Sequence, residues 1–311
     1  MSKEFYQGDW DDFVEGDFLK LVSIAVSEDI SDIGDITSLA LIPEGGVGRA
    51  AVVLREDVVM SGIRAIPLMF SVIDNGLSWQ AEAGGEICDG KFVRKGERIG
   101  WVSGSVRAML RAERILLNLV GRLTGIATLT RRYVEAISGT SAKIYDTRKT
   151  TLGWRRLEKY AVRCGGGQNH RTGLFDAILI KDNHIAFGRE NKIYDPATAV
   201  CKARDYLRSR FGQEAADSKI IEVEVDNLEQ LAQVLTVKPD IVLLDNMLPE
   251  VLCRAVAMRN EVDKEIELEA SGGVKLSTVR AIAETGVERI SAGALTHSAT
   301  SIDIGLDWTT V

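Results

Sequence analysis

The sequence predicts an α/β fold organised around a parallel sheet, and three observations carry that prediction. From Lys143 onward, six short apolar runs alternate with helical patterns, the rhythm of right-handed strand–helix–strand crossovers. Each of those runs ends in charged, polar or glycine residues, as strands do when their C-terminal ends share one mouth. Before residue 107 the chain reads instead as short β-like runs broken by glycine.

In the first part AAVVL (50–54), DVVMSG (57–62) and ERIGWVSGSV (97–106) are predicted strands, with Gly84, Gly85, Gly90 and Gly96 as punctuation. Over 107–138 leucine and isoleucine recur at helical spacing, through Leu110, Ile115, Leu116, Leu119, Leu123 and Ile126. This predicts one long helix, or two that meet near Gly121–Gly125. The later strands are KIYD (143–146), AILIK (177–181), IIEVEV (220–225), DIVLLD (240–245), EIELEAS (265–271) and RISAG (289–293). Helical patterns cover Trp154 to Val162, Pro196 to Phe211, Leu228 to Leu235, Leu248 to Asn260 and Leu276 to Glu284. The strand ends are Asp146-Thr147-Arg148-Lys149, Lys181-Asp182-Asn183-His184, Glu224, Asp245-Asn246, Ser271-Gly272-Gly273 and Gly293. A closed barrel gathers these at one mouth and a doubly wound sheet gathers them along a crevice; the pattern alone leaves both open.

A net charge of −7 and a pI near 5.2 argue against general affinity for nucleic acid or anionic membranes. No apolar run approaches the roughly 18 residues that span a bilayer. The stretch MSKEFYQGDWDDFVEGDF is acidic and aromatic, unlike a signal peptide. Cys88, Cys164, Cys201 and Cys253 form no C-x-x-C pair, which points to reduced thiols in a cytoplasmic protein rather than disulfides or zinc. Cys164 reads as a small buried residue rather than a nucleophile.

Charge is distributed unevenly. Between Asp146 and His184 eight cations face four acids, a net +4 inside a net −7 chain. Arg155, Arg156 and Lys159 read as a solvated helix face. Arg148, Lys149, Arg171 and Lys181 lie beside strand ends or glycines, where arginine offers a fork for carboxylate or phosphate and lysine a point charge. A strongly anionic small molecule is the expected ligand. Glu224 and Asp245 close successive strands; they suit Mg²⁺ beside phosphates, or else salt bridges to Lys149 and Lys181. The glycines at 272, 273 and 293 would let backbone N–H groups approach phosphate oxygens, although such glycines also simply make turns. His170, His184 and His297 lack metal-ligand spacing.

The stretch DTRKTTLGWRRLEKYAVRCGGGQNHRTGLFDAILIKDNHI (146–185) resembles the signature of the quinolinate phosphoribosyltransferase family, the carboxylating nicotinate-nucleotide pyrophosphorylases. The likeness extends, in order, through GDIT (34–37), AERILLNLVGRLTGIAT (112–128), VEVDNLEQL (223–231), LLDNM (243–247), EASGGV (269–274) and SAGALTHS (291–298). It implies an N-terminal α/β sandwich domain over 1–125 and an incomplete parallel α/β barrel over 126–297, with the tail 298–311 packing back on the sandwich. It implies the transfer of phosphoribosyl from phosphoribosyl pyrophosphate to quinolinate with decarboxylation, and a homodimer with shared active sites that can assemble further.

Carried over by motif, Arg148, His170 and Arg171, with Arg114 from the neighbouring subunit, would hold the carboxylates of quinolinate. Thr147 would join them in substrate binding. Lys149 and Lys181 would lie between that acid and phosphoribosyl pyrophosphate. Glu224 and Asp245 would hold Mg²⁺ and the ribose hydroxyls, and Ser271, Gly272, Gly273, Gly293 and His297 would take the phosphates. Leu152 departs from a frequent proline, Gln168 fills a variable slot, and 186–220 reads as an extended loop before its helix. Three other readings compete: a relative of the same fold associated with molybdate transport, a barrel lyase using Lys181 as a Schiff base, and a metabolite-binding regulator without turnover.

Overall fold

A computed structural model of the chain describes residues 3–82, 87–187 and 195–309. Gly84, Gly85 and part of the 186–220 segment lie outside the described residues. In chain order the elements begin with α1 (Asp12–Asp29), α2 (Ile36–Leu41), β1 (Val47–Leu54), β2 (Val58–Val59), α3 (Ala65–Ile73), β3 (Ser78–Ala81), β4 (Phe92–Val93), β5 (Arg98–Ser105) and α4 (Val106–Ala136). There follow β6 (Lys143–Tyr145), α5 (Arg155–Cys164), β7 (Ile178–Ile180), α6 (Asp182–Phe187), α7 (Pro196–Phe211), α8 (Gln213–Ser218), β8 (Ile221–Val225) and α9 (Leu228–Leu235). The chain ends with β9 (Ile241–Asp245), α10 (Pro249–Val262), β10 (Glu267–Ser271), α11 (Val279–Ala283), β11 (Arg289–Ser291), α12 (Ala294–His297) and β12 (Ile304–Trp308).

These elements fall into two compact units that interleave along the sequence. One comprises 8–131, 150–166 and 295–311, the other 1–7, 132–149 and 167–294. A division at residue 125 falls within α4.

The first unit is built on an antiparallel sheet of order β12-β1-β5-β3. Its leading helices, α1 to α3, are absent from the strand-and-turn reading of this region. Helix α1 buries only Val14, Phe18 and Val22, one residue per turn, so its apolar stripe is too thin to stand out. Its start is nevertheless encoded: the Asp11 carboxylate accepts from the amides of Phe13 and Val14. The GDIT stretch has the same kind of role, with Asp35 accepting from the Ser38 amide at the start of α2. Helix α4 runs unbroken through Gly121 and Gly125, which serve a close approach instead of a break. A Cβ at Gly121 would lie 2.7 Å from the Ile302 carbonyl oxygen, and one at Gly125 2.0 Å from that of Thr300. The tail therefore lies against the helix, and β12 pairs antiparallel with β1.

The second unit holds the six-stranded parallel sheet, in the order β6-β11-β10-β9-β8-β7. Strands β7 to β11 follow one another without reversal and β6 joins beside β11. That order is a barrel; a doubly wound sheet reverses at a switch point. The barrel is incomplete between β6 and β7. There Tyr145 bridges Gln168 in parallel, with Gln168 N donating to Ile144 O at 2.7 Å and Asp146 N to Gln168 O at 3.0 Å. The segment after Gly167 thus takes up one ladder edge of β6.

Because side chains alternate along a strand, Glu222 and Glu224 share one face of β8, and Glu267, Glu269 and Ser271 share one face of β10. Register sets Glu269 beside Arg289 on β11 and Leu243 on β9, and Ser271 beside Asp245. Val223, Val225, Val242, Leu244, Leu268 and Ile290 fill the opposite face and are fully buried. Among the described residues no helix is long and apolar enough to cross a membrane.

Candidate active site

Parallel strands put their C-terminal ends on one side of the barrel, and the expected site residues of this unit fall there. Thr147, Arg148 and Lys149 follow β6, Lys181 follows β7, Glu224 is the penultimate residue of β8, Asp245 and Ser271 end β9 and β10, and Gly293 follows β11. Arg114, exposed on α4, and His297, exposed at the end of α12 with Nδ1 against Ser298 Oγ at 2.7 Å, belong to the other unit.

On the oxygen-rich flank, the Lys181 ammonium donates to Glu224 Oε2, joining strand ends that neighbour one another in the sheet. The Lys181 side chain is 43% exposed and that of Glu224 10%. The salt bridge left open by the sequence is therefore formed at Glu224. Asp245 accepts from Asn246 Nδ2 at 2.7 Å. Asn246 adopts φ 53°, and a Cβ on Gly272, itself at φ 92°, would stand 2.2 Å from Asn246 Oδ1. The turns after β9 and β10 interlock through that glycine. Gly273, at φ 59°, has open space where a Cβ would be, so its backbone is uncovered. Ser291 Oγ donates to Ser271 Oγ at 3.0 Å.

The cationic flank is held by the segment in the barrel gap. Asn169, His170 and Arg171 are all buried. Beneath them the Asp146 carboxylate accepts from Asn169 Nδ2 at 2.7 Å and from the His170 amide at 2.9 Å. Arg171 donates through Nη1 to Ala177 O at 3.2 Å. Burial first, and then the like charge of Arg148, pull the Arg171 guanidinium below its ordinary pKa. These two cations therefore oppose each other, and an anion placed between them relieves both.

His170 points its ring into the barrel rather than outward. Nδ1 accepts the Arg171 amide at 2.8 Å, and Nε2 lies 3.1 Å from Glu222 Oε2 and 3.5 Å from Glu269 Oε1. Burial disfavours an imidazolium, but Glu222 and Glu269 raise the ring's pKa to about 10. A proton on Nδ1 would break its bond with the Arg171 amide. The set therefore shares its protons: burial raises the Glu222 carboxyl, His170 lowers it and the like charge of Glu269 raises it. Glu269 is held down to about 2 despite burial, first by the charge and N–H of His170 and then by the charge of Arg289, whose Nε lies 3.3 Å away. The three groups would surround a cation in size. Their chemistry does not suit one, because Nε2 carries a proton when Nδ1 is an acceptor.

Asp146, Glu222, Glu269 and Arg289 were not assigned roles from the sequence. The alternating glutamates of IIEVEV and EIELEAS were the available signal, since apolar strands with acids at every second position require a polar interior. Burial pushes the Cys164 thiol up to about 12, which argues against a nucleophilic role.

Comparison with known proteins decides the family. Residues 126–307 match the model for the quinolinate phosphoribosyl transferase C-terminal domain, and 35–124 the model for its N-terminal domain. The chain belongs to the quinolinate phosphoribosyltransferase family. It is 42% identical over 287 residues to a nicotinate-nucleotide pyrophosphorylase [carboxylating] of Mycobacterium leprae, covering 91% of this chain and 94% of that one. It is 38% identical over 299 residues to a quinolinate phosphoribosyltransferase [decarboxylating] of Nicotiana glauca, covering 93% and 82%. Among solved structures, the nicotinate-nucleotide pyrophosphorylase of Francisella tularensis superposes with a TM-score of 0.84 at 36% identity, covering 98% of this chain and all of that one. That superposition and the strand order agree on the quinolinate phosphoribosyltransferase architecture of a small sheet domain and a parallel α/β barrel.

Proposed function

We propose that the chain transfers phosphoribosyl from phosphoribosyl pyrophosphate to quinolinate and releases CO₂, giving nicotinate mononucleotide for NAD synthesis. The observation that supports this most strongly is the pairing of two like-charged guanidiniums, Arg148 and Arg171, at the same barrel end as a carboxylate flank. A dianionic acceptor fits the first and a metal-bound diphosphate the second.

In this reading Arg148 and Arg171 take the acceptor's carboxylates, with Thr147 beside them and Arg114 supplied by a partner subunit of a homodimer. Lys149 and Lys181 neutralise charge between the two substrates. Ser271, Gly272, Gly273, Gly293 and His297 take phosphate oxygens. His170 contributes through the protein, since both ring nitrogens face protein groups.

Glu224 and Asp245 offer hard oxygen ligands on neighbouring strands, which fits Mg²⁺, an ion that commonly takes one or two carboxylates together with phosphate oxygens. When bound, Mg²⁺ supplies charge neutralisation to the departing pyrophosphate. The pyridine nitrogen attacks C1 of the sugar while the C1–O bond breaks and pyrophosphate leaves with its electron pair. Positioning by Arg148 and Arg171 makes this effectively intramolecular. The nitrogen, now cationic, stabilises the electron pair left on the ring as the adjacent carboxylate departs as CO₂, and a proton fills that carbon. A Schiff-base role for Lys181 fits poorly with an ammonium already bound to Glu224. We place the protein in the cytoplasm, in keeping with four free cysteines.

Release of pyrophosphate with alternative acceptors tests the assignment. Quinolinate should support release and nicotinate, with one carboxylate fewer, should not; equal rates with both would remove the two-arginine acceptor pocket.

A further inference from the structure

Residues Glu4 to Gln7 precede both family-model matches, yet they pack within the barrel unit. Gln7 holds the backbone of Asn169 twice: its Oε1 accepts from Asn169 N at 2.8 Å and its Nε2 donates to Asn169 O at 2.9 Å. Phe5 is 4% exposed and stacks on the His170 ring, with centroids 4.3 Å apart and planes inclined by 27°. Phe5 also clusters with Ala177, whose carbonyl receives Arg171 Nη1, and with Ile220 and Ile241. Glu4 accepts from the Tyr145 hydroxyl at 2.7 Å and from Arg289 Nη2 at 2.9 Å.

These contacts meet a specific need. The Asn169–Arg171 segment fills a barrel gap where a strand would otherwise satisfy backbone groups, and buried backbone N–H and C=O groups need partners. Asp146 provides partners from β6, and Gln7 provides the donor and acceptor that a neighbouring strand would offer. We propose that Phe5 and Gln7 are positioning residues of the acceptor site: they fix the Asn169–Arg171 segment and so set where Arg171 presents its guanidinium. The inference rests on the reading of Arg171 as an acceptor-binding residue. Phe5 and Gln7 act through the Asn169–Arg171 segment, with which both are in contact. A small displacement of a charged clamp nonetheless weakens capture strongly, because proximity effects are steep in distance.

The test compares calorimetric binding and steady-state kinetics of the full chain, Gln7→Ala, Gln7→Glu and Lys3→Ala. Lys3 pairs with Asp240 and serves as the control, because it anchors the same arm without touching the loop. Gln7→Ala should weaken quinolinate binding about tenfold and raise its KM in step, leaving the KM for phosphoribosyl pyrophosphate and kcat within about twofold. Gln7→Glu, which keeps the acceptor for Asn169 N but loses the donor, should fall between, so the proposal stays testable if Gln7→Ala does not fold. Lys3→Ala should match the unaltered chain. Unchanged quinolinate binding in Gln7→Ala or Gln7→Glu, or equal loss for both substrates, overturns the inference while leaving the acceptor reading intact. Failure of the unaltered chain to bind quinolinate overturns both.

Discussion

The Lys181 ammonium rests on the Glu224 carboxylate across the ends of β7 and β8, so the lysine and the acid restrain each other before any substrate arrives. Such a pair, partly exposed, adds little to stability. Its value is positional. Glu224→Ala should cost on the order of 10²-fold in kcat/KM and raise the Mg²⁺ concentration for half-maximal rate, because the carboxylate proposed to hold Mg²⁺ is lost. Lys181→Ala should lower the rate without shifting the Mg²⁺ requirement. A metal titration of both variants separates them; the same Mg²⁺ dependence in Glu224→Ala and the unaltered chain contradicts the assignment.

Arg148→Ala and Arg171→Ala should each raise the KM for quinolinate by about 10- to 100-fold, the range of a lost charge-assisted contact of about 1.5–3 kcal/mol. The KM for phosphoribosyl pyrophosphate should change little. Kinetics with each substrate varied in turn decide this, and a selective loss of the pyrophosphate substrate would place both arginines on the wrong flank.

The buried set beneath His170 gives an asymmetry between two glutamates. Burial raises the Glu222 carboxyl, whereas His170 and Arg289 hold Glu269 down. Glu222→Gln should therefore change stability by less than about 1.5 kcal/mol, whereas Glu269→Gln, which removes a buried charge facing His170 while Arg289 keeps Glu4 and Glu267, should cost more, about 3 kcal/mol. Folded His170 keeps its second proton to about pH 10, while an unfolded histidine releases it near 6.5. This stabilisation is complete below pH 6.5 and declines as pH rises towards 10. Denaturation at several pH values should show that decline flattened in Glu222→Gln. Equal costs for the two substitutions would contradict that asymmetry.

Gly125→Ala should destabilise the first unit by about 1–3 kcal/mol, since its Cβ would lie 2.0 Å from the Thr300 carbonyl oxygen and displace the tail from α4. Helix propensity alone predicts the opposite sign, a gain of roughly 0.8–1 kcal/mol. Thermal unfolding reads the sign directly.

The barrel was largely legible in the sequence because its strands are short apolar runs with chemistry at one end, and the helical patterns from Pro196, Leu228 and Leu248 begin within one residue of α7, α9 and α10. Helix α1 was not, because three buried residues in eighteen leave its pattern to a single capping aspartate. Site residues at strand ends were legible by position. Glu222, Glu269 and Arg289 were obscured because a charged residue in a strand reads as solvent-facing until closure turns that face inward. The roles of Phe5 and Gln7 depend on contacts with residues more than 160 positions away, which local pattern does not encode.

The central claim is that two polyanions meet at one barrel mouth and react there with loss of a carboxylate. Quinolinate labelled with ¹³C in the carboxylate next to the ring nitrogen, followed by NMR with phosphoribosyl pyrophosphate and Mg²⁺, tests it most directly. The label should leave as CO₂ in step with pyrophosphate, and only when both substrates are present. Retention of the label in a ribosylated product, or binding of both compounds without turnover, would contradict the account.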